Sequence, residues 1–193
     1  MTTHIDSDVR ISRLPVPDRA TLPPQLQDRF DALEKQLGYL PNWANSWGLG
    51  GENTVRLIDY ILPLLDPSHG ELSYADRELL ATVTSAENRC SYCRLNHTKS
   101  LTAALGDKIL ATRIGLDYRE VPELTERQRA LAEFASKVAL HTHEVTDADY
   151  QRLQELGYSP EQIFEALLVI TVFAAANRLT VALNVIPDRQ FFE

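Results

Sequence analysis

Cysteine is nearly absent from this chain. Only Cys90 and Cys93 occur among 193 residues, and a pair two residues apart closes too small a loop to staple distant segments. A structural disulfide framework is therefore excluded, and a lone C-x-x-C with no secretory signature points to catalysis or metal binding. Positive charge is also scarce. Nineteen Lys and Arg face 27 Asp and Glu, a net charge of −8 at pH 7. The phosphate term would be repulsive, so neither nucleic acid nor an anionic membrane is expected as a partner. The N-terminus lacks the apolar core of a secretory leader. The longest apolar run, residues 166–176, is shorter than a bilayer span. A cytoplasmic protein is expected.

Strand alternation with hairpin turns is missing as well, so the fold class is all-α. Prolines 15, 17, 23 and 24 make residues 1–21 an extended arm. Residues 22–193 then read as a single helical domain of seven or eight helices. Pro24 opens the first, with Leu26, Phe30, Leu33 and Leu37 at helical spacing before Gly38. Residues 39–51 carry both tryptophans, Trp43 and Trp47, and read as a compact connection. Helical patterns follow at 53–65, 74–87 (launched by Ser73), 91–105 (stopped by Gly106) and 107–114 (stopped by Gly115). Thr125 with Gln128 and Thr146 with Asp149 open two more, and Ser159-Pro160-Glu161 caps a long last helix. A weak internal repeat is visible, because Leu72-Ser73 with Arg77 matches Leu124-Thr125 with Arg129.

The chemistry concentrates between residues 78 and 97. On a helix from Ser91, Cys90, Cys93 and His97 share one stripe. The helix N-terminus lowers the pKa of Cys90 most, whereas His97 sits one turn from Cys93 and is placed to take its proton. These two arguments favour different nucleophiles. Glu78, on the preceding helix, can reach His97 if the two helices pack antiparallel, which gives a base and its orienting partner. A solvated Glu78 beside Arg77 is the plainer alternative.

Glu78, Cys90-Ser91-Tyr92-Cys93 and His97 together resemble the motif of the alkylhydroperoxidase D (AhpD)-like branch of the carboxymuconolactone decarboxylase superfamily. The Leu72-Ser73 opening with Arg77-Glu78-Leu79 and the late Asn177-Arg178 are similar to its peroxidase-related members. The resemblance implies an AhpD-like helical bundle acting as a homo-oligomer, a trimer or hexamer. It also implies a thiol peroxidase acting on a small hydroperoxide. Cys93 would then be the peroxidatic thiol, Cys90 the resolving one, and Glu78 with His97 the proton relay. A dithiol or lipoyl-type partner would reduce the resulting disulfide. Tyr92 stands where the peroxidase proper has a histidine. The second reading is a dithiol adaptor or sensor that exchanges disulfides with a partner protein.

No metal, haem or flavin is implied as a cofactor. Zinc on Cys90, Cys93 and His97 with Glu78 or Glu87 is the metal alternative, but no second pair completes a site. Glu87, His141 and His143 read as surface or helix-end residues. Trp43 and Trp47 read as packing for the N-terminal segment or as a substrate mouth. Asn177-Arg178 interrupts an apolar helix and reads as satisfying buried polar groups or crossing a subunit contact.

Overall fold

The computed structural model describes residues 10–192. Among them are nine α-helices and no strand: α1 (Pro24–Leu37), α2 (Asn42–Trp47), α3 (Glu52–Leu64), α4 (Tyr74–Glu87), α5 (Ser91–Leu105), α6 (Lys108–Asp117), α7 (Glu126–His141), α8 (Asp147–Glu155) and α9 (Pro160–Leu183). The caps read from sequence are in place. The Ser73 hydroxyl accepts the Asp76 N–H, and Thr125 with Gln128 forms a reciprocal capping box, as does Ser159 with Gln162. Gly38 and Gly106 end α1 and α5 in the left-handed conformation. The helix beyond the expected count is α2, which lies in the segment read as a connection. Of the arm, residues 1–9 lie outside the described residues. Further on, the arm runs along the end of α9, where the Arg13 N–H donates to the Leu183 carbonyl at 2.7 Å.

Gly115 does not stop α6, which continues to Asp117. Its lack of a side chain serves packing instead. A Cβ there would sit 2.4 Å from Thr98 Oγ1 on α5. The glycine lets α5 and α6 approach closely.

The centre of the fold is α4. Nine consecutive residues, Arg77 through Ser85, are buried, because α5, α6, α7 and α9 surround the helix. An apolar stripe of Leu79, Leu80 and Val83 was legible, but burial extends to the polar face too, and takes Glu78 inside. The second core helix is α9. By length and composition it could cross a membrane, which the short apolar run within it did not suggest. Its Val169, Ile170, Phe173 and Ala176 are buried in the main core cluster. A second cluster, built on Leu26 and Phe30 of α1 with Val55 and Ile58 of α3, lies beside the first.

The echo between the two helix openings has a structural use. Arg77, 1% exposed, donates to the carbonyls of Leu64 and Asp66, both at 2.9 Å. Arg129 donates to the Val121 carbonyl at 2.6 Å. Each arginine ties its helix to carbonyls of the segment before it.

Replacing Gly115 with Val should cost about 1–3 kcal/mol through overpacking. A thermal melt should show the loss, and Thr98→Ala in the same chain should recover part of it. An unchanged melting temperature for Gly115→Val alone would contradict the close-packing account.

Candidate functional site

A two-residue turn sets the dithiol. Asn88 caps α4, Arg89 takes a left-handed φ of 55°, and the Cys90 N–H donates back to the Ser85 carbonyl at 2.9 Å. A non-glycine residue pays for that conformation in strain. The turn reverses the chain so that α5 packs antiparallel on α4 and Cys90 becomes the N-cap of α5. Its sulfur accepts the Cys93 N–H at 3.4 Å, in the place a Ser or Asp oxygen usually fills.

Both thiols are buried, Cys90 at 1% and Cys93 at 7% exposure. The hydrogen bond from the Cys93 thiol, aided by backbone N–H groups and the Asn177 side chain, pushes Cys90 below the ordinary thiol value against the pull of burial. Cys93 is pushed well above that value, because its proton is committed to Cys90 and burial penalises its charge. The pair thus loses one proton readily and holds the second. Cys90, at the helix N-terminus with the Cys93 N–H on its sulfur, is the better placed of the two to hold negative charge.

The antiparallel packing brings Glu78 to His97 across 19 residues of sequence. His97 Nδ1 and Glu78 Oε2 lie 2.9 Å apart, and both side chains are buried. That bond occupies Nδ1 and leaves Nε2 as the nitrogen for proton exchange. Phe173 of α9 packs edge-on against the imidazole, with ring centroids 4.4 Å apart. The solvated reading of Glu78 is overturned: the surrounding helices close over it. Tyr74, one turn earlier on α4, lies beside the same carboxylate. Burial, with the Glu78 charge next in weight, pushes its hydroxyl up to about 12, so it stays protonated at neutral pH.

A cavity of about 870 Å³ opens between the two core clusters. Glu78, Cys93 and His97 line its inner end together, whereas Cys90 does not reach it. Trp43 and Trp47, packed edge to face at 4.9 Å, form part of its wall with Ile58, Ile61 and Phe173. Size and apolar lining suit a small organic molecule. Of the two uses read for the tryptophans, lining the cavity is the one seen; the contact with Pro17 of the arm comes from Gly48, next to Trp47.

Sequence reasoning left two residues of α9 outside the site. Asn177 is fully buried beside both sulfurs, and Thr180, one turn on, lies beside Cys93. The only signal was a polar side chain interrupting an apolar run. Arg178 faces outward and bonds back to the Ala174 carbonyl. Tyr92 has its own task. Its hydroxyl donates to Asp188 and accepts the Trp43 N–H at 3.3 Å, while Asp188 also accepts the Asn42 N–H at 3.0 Å. Burial and the Asp188 carboxylate push the Tyr92 pKa far up, so the phenol remains a donor. Tyr92 therefore fastens the C-terminal segment to α2 and α5.

Other candidates stay apart from the dithiol. Glu87 binds Arg119 and Ser136. His141 and His143 are exposed beside Glu144. Among the described residues, no three His, Cys, Asp or Glu side chains are grouped to hold a metal ion.

Fold and site define a helical protein with a buried C-x-x-C dithiol at the end of an organic-sized cavity. No protein-family model matches the chain, and no curated protein does. Solved structures do. An uncharacterised peroxidase-related protein from Ralstonia eutropha, an alkylhydroperoxidase AhpD core, is 29% identical over 95% of each chain, with a TM-score of 0.88. Another, from Silicibacter, is 27% identical over 93% of this chain and 92% of its own, with a TM-score of 0.82. A debrominase, 18% identical over 97% and 96% with a TM-score of 0.75, shares the fold. The resemblance read from the motif therefore holds along the chain, whose fold is AhpD-like.

Replacing Tyr92 with Phe removes one donor from the buried Asp188 carboxylate and leaves the Trp43 N–H without its acceptor. A loss of about 1–3 kcal/mol is expected, with faster proteolysis of the segment after Leu183. Unchanged stability and proteolysis would show that Tyr92 does not fasten this segment.

Proposed function

We propose that the protein is a thiol-dependent peroxidase that reduces small organic hydroperoxides. The observation that carries the reading is Cys93 at the inner end of the cavity, with the buried His97–Glu78 pair lining the same end. His97 takes the first proton of the dithiol on Nε2, Glu78 steadies the imidazolium that forms, and the proton left on Cys93 passes to Cys90. The thiolate attacks the terminal peroxide oxygen, the O–O bond breaks, and the alkoxide leaves with the proton from His97. Cys93 is now a sulfenic acid. The Cys90 thiol displaces its hydroxyl as water, forming the Cys90–Cys93 disulfide. An external dithiol, of lipoyl type in this reading, returns both thiols and is itself oxidised to a disulfide.

The charge stored on Cys90 fits this cycle. Moving the shared proton from Cys93 to Cys90 exposes a thiolate to the cavity and readies Cys90 as the resolving thiol. The rival reading, a dithiol adaptor acting on a partner protein's disulfide, fits less well, because neither sulfur is exposed on the surface. A cytoplasmic setting, where thiols are kept reduced, belongs to the proposal. So does a homo-oligomer, trimer or hexamer, supported by the apolar side chains that α9 leaves exposed, Phe164 at 62% among them.

The test is steady-state consumption of cumene hydroperoxide with dihydrolipoamide. Wild type should show saturable turnover. Cys93→Ser should abolish it, Cys90→Ser should stop after one turnover, and Glu78→Gln should slow it by about 10²-fold or more. A wild-type rate no higher than that of the free dithiol would overturn the proposal.

A further inference from the structure

The face that α9 turns to the dithiol is built from Phe173, Ala176, Asn177 and Thr180, residues at helical spacing. Phe173 packs on His97, and Phe173, Ala176 and Thr180 line the cavity. Asn177 is the fully buried polar residue of that face.

Its carboxamide has one permitted orientation. Asn88 Nδ2 donates to the Thr84 carbonyl at 2.9 Å and to Asn177 Oδ1 at 3.1 Å. Asn88 thereby fixes which end of the Asn177 amide is oxygen, and the NH₂ end must face the other way. One of its two hydrogens goes to Ser85 Oγ at 3.1 Å. The other is available to the sulfurs, each of which has the Asn177 side chain as a hydrogen-bonding neighbour. Thr180 repeats the pattern, because its buried hydroxyl has no hydrogen-bond partner of its own and lies beside Cys93. A buried donor is costly to leave unused, and a sulfur that carries charge, or an oxygen added to it, would use it.

We propose that Asn177 is a catalytic residue of the dithiol centre. Its carboxamide N–H, oriented by Asn88 and Ser85, donates a hydrogen bond to whichever sulfur carries the negative charge. Thr180 supplies a second donor when that sulfur is Cys93. The inference rests on the dithiol reading of the site but needs no peroxide.

The experiment is a thiolate titration at 240 nm of the reduced protein, with the oxidised protein subtracted to remove tyrosine. His97 and Glu78 line the cavity with Cys93, Tyr74 lies beside Glu78, and Arg89 and Arg94 flank the cysteines in sequence; the variants leave all five in place. Asn177→Leu removes the donor at similar volume. Its first thiolate should form at higher pH, and the thiolate fraction at pH 7 should fall about tenfold, the effect of one pKa unit. Asn88→Ala frees the amide to turn without touching either sulfur and should shift the curve the same way by less. Asn177→Asp, which sets a negative group against the sulfurs, should shift it furthest. If Asn177→Leu does not fold, Asn88→Ala decides. A titration curve unchanged in the folded variants would overturn the assignment. Failed peroxide turnover with a shifted curve would sink the peroxidase reading and leave this one standing.

Discussion

A carboxylate at 1% exposure needs a partner, and Glu78 has one in His97. Removing one member leaves the other buried without its hydrogen-bond partner, which typically costs about 1–3 kcal/mol. The bond therefore constrains the rest of the structure. It holds α4 and α5 in one antiparallel register, and that register requires the tight turn at Arg89. The turn makes Cys90 an N-cap and brings Cys93 to the end of the cavity. The interaction that fixes the chemistry is the one that fixes the packing.

The two sulfurs then divide their tasks by position. Cys90 has the helix N-terminus, the Cys93 amide and the hydrogen bond from its neighbour, so it holds charge cheaply. Cys93 has the cavity and His97. The sequence arguments that favoured different cysteines were each describing one of these tasks. The cavity follows from the two core clusters, since neither fills the gap between them and the aromatic pair on α2 walls it. Tyr92, between the cysteines, uses its hydroxyl to bind the C-terminal segment instead of joining the relay.

Much of the fold was legible because its signals are local. Ser73, Thr125 and Ser159 cap their helices as their spacing indicated, and Gly38 and Gly106 end theirs. The motif residues Glu78, Cys90, Cys93 and His97 come together because three lie on one helix stripe and the fourth lies on the adjacent helix. What escaped depends on distant contacts. Gly115 looked like a helix stop, yet its reason lies at Thr98 on another helix. Burial of the polar side of α4 follows from four surrounding helices, which a local apolar stripe does not reveal. Asn177 is 84 residues beyond Cys93, and its meaning comes from its hydrogen bonds to Asn88 and Ser85 at the end of α4, contacts between distant parts of the sequence.

The central claim is that Cys90 and Cys93 act as one redox unit fed through the cavity. The most direct test is a single turnover. Reduced protein is mixed with one equivalent of cumene hydroperoxide, quenched with an alkylating agent, and weighed intact and as peptides. The account predicts loss of two hydrogens per chain, no alkylated thiol, and a Cys90–Cys93 disulfide formed far faster than free thiols oxidise. Two alkylated thiols with the hydroperoxide unspent would contradict it.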